Sequence, residues 1–131
     1  MRAQPTTVAT VVRTPIAVVT SSATLEQAAS LLAADELGLL VVVGPNGLRG
    51  VFSERDLVSA VADRADLAVE RVVDHASTDV LTVPESATLD EAAGVMRDAG
   101  IRHLVVTRRG EPFGVVSIRD VLDALLSSLV A

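Results

Sequence analysis

The stretch GVFSERDLVSAV at residues 50–61 returns, altered but recognisable, as GVVSIRDVLDAL at residues 114–125. The offset is 64 residues, and it holds well beyond these segments: Thr24 falls on Thr88, Gly50 on Gly114 and Asp56 on Asp120 without a gap. Between residues 16–62 and 80–126, 16 of 47 aligned positions are identical, and several of the others exchange one aliphatic side chain for another. Val8 and Val72 also align, so two units, 8–71 and 72–131, tile the chain after a short tail at 1–7. A unit of about 60 residues is marginal alone and is expected to bury an apolar face against its twin.

Each unit reads the same way. A short strand at 16–19 or 80–83 precedes a capping box, Thr24 to Gln27 or Thr88 to Glu91, in which a hydroxyl and a longer polar side chain satisfy orphan amides at a helix start. The helix carries Leu25, Ala28, Ala29 and Leu32, or Leu89, Ala92, Ala93 and Met96, the i, i+3, i+4, i+7 spacing of one buried face. Then come a strand at 39–43 or 103–107, a turn at GPNG or RRGE, and a second strand ending in Ser53 or Ser117. A closing helix follows, with Leu57, Val58 and Val61 in the first unit and Val121, Leu122, Leu125, Leu126 and Leu129 in the second. The expected fold is β-α-β-β-α twice, an α+β arrangement, with 62–71 as the charged connection.

Composition excludes several function classes. The chain has no cysteine, so disulfides, thiolate metal sites and cysteine nucleophiles are absent. Seventeen acids against eleven bases give a formal charge of -6, unsuited to a duplex-binding surface that works by counterion release. Two phenylalanines are the only aromatic residues, which leaves nothing to stack single-stranded bases. No apolar run approaches a bilayer span, and the N-terminus lacks the unbroken apolar stretch of a secretory segment. A soluble, cytoplasmic protein without nucleic-acid or membrane partners is expected. His75 and His103 lack metal-ligand spacing, and no phosphate loop or nucleophile elbow occurs, so neither a metal site nor an enzyme is expected.

The repeated Ser-x-x-Asp has two readings. Ser53 and Ser117 stand where a strand becomes a helix, and this spacing is a generic helix-start signature. The same place suits a nucleotide: a helix start offers amides and a positive dipole end to a phosphate, and an aspartate can accept two hydrogen bonds from the cis-diol of a ribose. Gly50 and Gly114, three residues before each serine, are expected to let a ligand approach the backbone. Arg55 and Arg119 match across the repeat and read either as solvated charges or as phosphate or partner contacts.

The units TLEQAASLLAADELGLLVVVGPNGLRGVFSERDLV and TLDEAAGVMRDAGIRHLVVTRRGEPFGVVSIRDVL resemble a tandem pair of cystathionine-β-synthase-type (CBS) domains, the Bateman module, over almost the whole chain. The resemblance implies two β-α-β-β-α units packed about a pseudo-two-fold axis. It also implies clefts between the units for an adenosyl compound, AMP, ADP, ATP or S-adenosylmethionine, acting as a regulatory ligand with no cofactor required. By that similarity Asp56 and Asp120 would hold ribose hydroxyls and Ser53 and Ser117 would lie near the α-phosphate. The main chain around Ile16 and Val80, preceded by Thr14 and Thr78, would meet the adenine edge. Arg102 and His103 stand where several members carry a basic pair toward phosphate. Their counterparts in the first unit, Gly38 and Leu39, cannot neutralise a phosphate, so sites of unequal affinity are expected. A homodimer, and a regulated protein partner that reads a conformational signal such as energy state, are further implied. The rival expectation is a ligand-independent dimerisation or docking module, motivated by the apolar closing helices, Val130 included.

Overall fold

The computed structural model describes residues 6–36 and 38–130, with backbone alone at residue 130. Residues 1–5 of the expected tail, and Leu37, lie outside the described residues. Two three-stranded sheets form, each carried by one compact unit.

In the unit built from residues 17–80, β1 (Val18–Thr20) lies parallel to β2 (Leu39–Gly44), which pairs antiparallel with β3 (Gly47–Ser53). Helix α1 (Leu25–Ala34) joins β1 to β2, and α2 (Glu54–Ala62) leaves directly from β3. The other unit repeats this with β4 (Thr82–Pro84), α3 (Leu89–Ala99), β5 (His103–Arg108), β6 (Glu111–Ser117) and α4 (Ile118–Val130). Even the irregularity is duplicated: the β2/β3 register shifts between Val42 and Val43, and the β5/β6 register between Val106 and Thr107, 64 residues on.

Local chemistry sets the helix starts as expected. The Gln27 amide donates to Thr24 Oγ1 at 3.2 Å while the Thr24 amide donates to Gln27 Oε1 at 2.9 Å; Thr88 and Glu91 form the matching box. Each box satisfies donors that a helix cannot pair internally. The apolar stripes turn inward: Leu25, Ala28 and Leu32 are buried with Val19, Leu40, Val42, Phe52, Ala60 and Val72, and Leu89, Ala92 and Met96 are buried with Val83, Leu104, Val106, Val116, Val121 and Val8. Among the described residues no helix is long and apolar enough to cross a membrane.

Two details differ from the sequence reading. The first strand of each repeat begins at Val18 or Thr82 rather than at 16 or 80, because ladder pairing with the following strand starts only there, Val18 opposite Val41 and Thr82 opposite Val105. The closing helices also bury less than their composition suggests. In α2 it is Ala60 that is buried, while Val58 and Val61 are exposed; in α4 Val121 is buried, while Leu122, Leu126 and Leu129 are exposed.

The cores contain one residue each from the far side of the duplication. Val72, which opens the second repeat, is buried in the core of the first, and Val8 is buried among residues of the second. Both sit in a single 3-10 turn, Val8–Thr10 or Val72–Asp74. The Val72 amide donates to the Ala23 carbonyl at 2.8 Å, and the Leu25 amide, at the first position of α1, donates to the Glu70 carbonyl at 2.9 Å. In the other unit the equivalent bonds run from Val8 to Ala87 at 2.8 Å and from Leu89 to Thr6 at 3.1 Å. The lead-in segment of each repeat therefore completes the other repeat's fold. One packed unit holds residues 17–80, and the other holds 81–130 with the described stretch up to Ile16.

Candidate functional site

The exchanged segments continue past their 3-10 turns and run beside the last strand of the unit they join. Arg13 and Val115 exchange backbone hydrogen bonds at 2.9 and 3.0 Å, and Ser77 and Val51 do the same at 2.9 Å each way. This pairing explains the glycines. A Cβ on Gly50 would stand 2.4 Å from the Ser77 carbonyl oxygen, and one on Gly114 would stand 2.6 Å from that of Arg13. The expectation that Gly50 and Gly114 make room for a ligand is corrected: the space they leave is filled by the chain's own backbone.

This pairing sorts the sequence-derived residues by unit. Thr14 and Ile16 belong with Arg102, His103, Ser117, Arg119 and Asp120, while Thr78 and Val80 belong with Ser53, Arg55 and Asp56. Thr14, Thr78, Arg55, Arg102 and Arg119 are exposed, and Ile16, Val80, Ser53, Ser117, His103, Asp56 and Asp120 are half-buried. His103 faces Ser117 across the β5/β6 ladder, and the Ile118 amide, first in α4, donates to the Arg102 carbonyl at 2.9 Å. In the other unit Leu39 faces Ser53, and the Glu54 amide donates to the Gly38 carbonyl at 3.1 Å.

The two aspartates are held differently. Asp56 closes a capping box: its Oδ2 accepts from the Ser53 amide at 2.9 Å and from Ser53 Oγ at 3.0 Å, and its own amide donates to Ser53 Oγ at 3.2 Å. Here the helix-start reading of Ser-x-x-Asp is realised in full. The Asp120 amide likewise donates to Ser117 Oγ, at 3.1 Å, but the carboxylate reaches Arg13, 107 positions away. Arg13 Nε donates to Oδ2 at 2.8 Å and Nη2 donates to Oδ1 at 3.0 Å, a two-pronged geometry that matches a planar guanidinium to a carboxylate.

The electrostatics follow. The hydrogen bond from Arg13 is the main cause holding the Asp120 carboxyl below the ordinary aspartate range; burial opposes it, and Ser117 and the charges of Arg13 and Arg119 assist. A depressed carboxyl contributes stability that is fully present above the unfolded-state value, about 3.9, and is lost as pH falls through the lower folded value. The unit with Asp56 has another charge pattern. The Glu54 side chain lies over Gly38, its Oε1 2.7 Å from where a Cβ would be, so an acid stands beside the position that corresponds to Arg102.

Arg13 and Glu54 were not among the residues singled out from sequence. Both differ from their repeat partners, Ser77 and Ile118; for Glu54 the mismatch falls inside the matched G-x-x-S-x-R-D motif, whereas Arg13 lies in a lead-in stretch that the repeats hardly share.

The same duplication is seen by comparison with known proteins. The family model for the CBS domain matches twice, at residues 8–63 and 69–127. The chain belongs to the CBS-domain family. It is 36% identical over 124 residues to an uncharacterized 17.7 kDa protein of Acidianus ambivalens, covering 92% of this chain and 74% of that one. Among solved structures it resembles CBS domain protein PAE2072 from Pyrobaculum aerophilum, complexed with AMP, at 31% identity and a TM-score of 0.81, covering 95% of this chain and 99% of that one. It also resembles the CBS-domain containing protein ATU1752 from Agrobacterium tumefaciens, at 30% identity and a TM-score of 0.78, covering 85% and 84%. The chain is thus an α+β pair of CBS repeats whose fold spans 99% of the Pyrobaculum aerophilum relative.

Proposed function

We propose that this CBS pair is a regulatory module that binds an adenosyl compound, AMP, ADP, ATP or S-adenosylmethionine, and signals by a change of conformation to a protein partner. The observation that carries this reading is the gathering, within each unit, of a Ser-x-x-Asp helix start with the half-buried aspartate and the segment bearing Thr14 and Ile16, or Thr78 and Val80. A carboxylate near unladdered main chain supplies acceptors for a ribose diol and edge contacts for a base. The AMP in the Pyrobaculum aerophilum relative supports the same ligand class. Such a ligand shifts a conformational balance only by the difference in its affinity for the two states, so a modest binding preference limits the signal.

Calorimetric titration with AMP, ADP, ATP, NADH and S-adenosylmethionine tests this reading. Wild type is expected to bind at least one of these, and Asp56→Asn combined with Asp120→Asn is expected to weaken binding by about tenfold or more, since each loses charge-assisted hydrogen bonds worth about 1.5–3 kcal/mol. Unchanged binding in the double variant removes the ribose role.

A second reading, association of two copies, is favoured by one observation. Leu122, Leu126 and Leu129 are 48, 57 and 80% exposed, and their i, i+4, i+7 spacing places them on one face of α4. Exposed apolar surface of this kind marks interfaces. Sedimentation at micromolar concentration is expected to show a dimer that Leu126→Glu with Leu129→Glu dissociates; a monomeric wild type refutes association.

A further inference from the structure

The ribose reading of Asp120 meets an obstacle that the ribose reading of Asp56 does not, and the obstacle has a chemical use. Both oxygens of Asp120 are engaged by Arg13, at 2.8 and 3.0 Å, and the carboxylate is only 15% exposed while the arginine is 51% exposed. A cis-diol donating to those oxygens competes with the guanidinium for a carboxylate that has little exposed surface. Once displaced, the guanidinium stays charged, because arginine does not lose its proton in proteins. It also stays close: the Arg13 backbone is tied in both directions to Val115, so the side chain can swing only around the site it has just left.

Resting on the proposed function, we infer that Arg13 determines the charge class of ligand accepted at Asp120, selecting adenosyl compounds that carry phosphate. A phosphate on the ligand replaces the lost carboxylate as the partner of the guanidinium, in a bidentate geometry that arginine favours. An uncharged nucleoside weakens the Arg13–Asp120 pair and offers the guanidinium no anion in exchange. A cationic ligand such as S-adenosylmethionine adds repulsion. Arg102, exposed beside the first residue of β5, and Arg119, whose charge already acts on Asp120, contribute in the same direction.

The duplication supplies an internal comparison. Position 77 is the repeat partner of position 13, and Ser77 is held against Val51 by the same pair of backbone hydrogen bonds. Serine has neither the reach nor the charge to cover Asp56, whose Oδ2 accepts from the amide and the hydroxyl of Ser53. That unit keeps Arg55, the counterpart of Arg119, but has Gly38 where the other has Arg102, and Glu54 lying over Gly38 adds an acid. Selection through an arginine on the lead-in segment therefore belongs to the Asp120 site.

The test reads affinity for AMP and for adenosine by calorimetry on the full chain, in an Asp56→Asn background so that the Asp120 site is the one observed. Arg13→Gln is expected to weaken AMP and strengthen adenosine, lowering the AMP-to-adenosine preference by about tenfold or more; tenfold corresponds to ~1.4 kcal/mol. Arg13→Lys, which keeps the charge without the fork, is expected to retain most of the preference. Ser77→Arg in an Asp120→Asn background is expected to create one. Without any ligand, the Asp120 carboxyl followed by NMR is expected to titrate closer to the ordinary aspartate range in Arg13→Gln. Binding of both ligands with the same preference in the parent and in Arg13→Gln overturns the inference while leaving the proposed function standing. Absence of any adenosyl binding, including by wild type, overturns both. Should Arg13→Gln fail to fold, Ser77→Arg in the Asp120→Asn background decides: no gain of preference for AMP over adenosine there is again a refutation.

Discussion

Replacing Phe52 with alanine is expected to lower the unfolding free energy by about 3–5 kcal/mol, the usual cost of truncating a buried aromatic residue. Phe52 is fully buried on β3, directly opposite Leu40 in the ladder, within a core that also holds Val19, Leu25, Ala28, Leu32 and the exchanged Val72. The deletion removes the transfer free energy of a ring and leaves a cavity that two packed helices and a sheet can close only in part. Because domains are stable by about 5–15 kcal/mol, the loss is a large share of the whole. Urea denaturation monitored by circular dichroism measures it, with an unchanged slope showing that the folded state itself is retained. The repeat counterpart, Val116, is equally buried but smaller, so Val116→Ala is expected to cost less. A loss under about 1 kcal/mol for Phe52→Ala contradicts the burial described above.

Adding one methyl group at Gly50 is expected to cost about 1–3 kcal/mol, in the range of overpacking substitutions. Its Cβ would stand 2.4 Å from the Ser77 carbonyl oxygen and 3.2 Å from the carbonyl carbon, and main chain cannot rotate out of the way as a side-chain tip does. The Val51–Ser77 hydrogen bonds must lengthen or break, which displaces Thr78 and Val80 and weakens any ligand that uses them. Gly114→Ala meets Arg13 and Val12 at 2.6 Å and is expected to behave alike, with the added effect of moving Arg13 from Asp120. Gly94 is the control. It lies within α3, the nearest atom to an added Cβ is Arg97 Nη2 at 3.9 Å, and alanine there is expected to stabilise by about 0.5–1 kcal/mol. Thermal denaturation of the three variants checks the signs; Gly50→Ala as stable as wild type shows that the segment yields without cost.

The sequence alone determined what short-range chemistry and repetition can express. Two capping boxes, two hairpins, two buried helix faces and two Ser-x-x-Asp helix starts are each built from residues a few positions apart, and the 64-residue offset says twice what a single copy would leave ambiguous. The β-α-β-β-α order, twice, followed from those elements, and its resemblance to the CBS pattern implied the family. Tertiary structure alone decided which segment accompanies which sheet. That the lead-in of one repeat completes the other, that Gly50 and Gly114 yield to carbonyls of residues 77 and 13, and that Asp120 meets an arginine 107 positions earlier are outcomes of backbone register between distant strands. Register of that kind has no local signature: every extended segment offers the same amides and carbonyls, and only the packing of whole cores selects among the pairings.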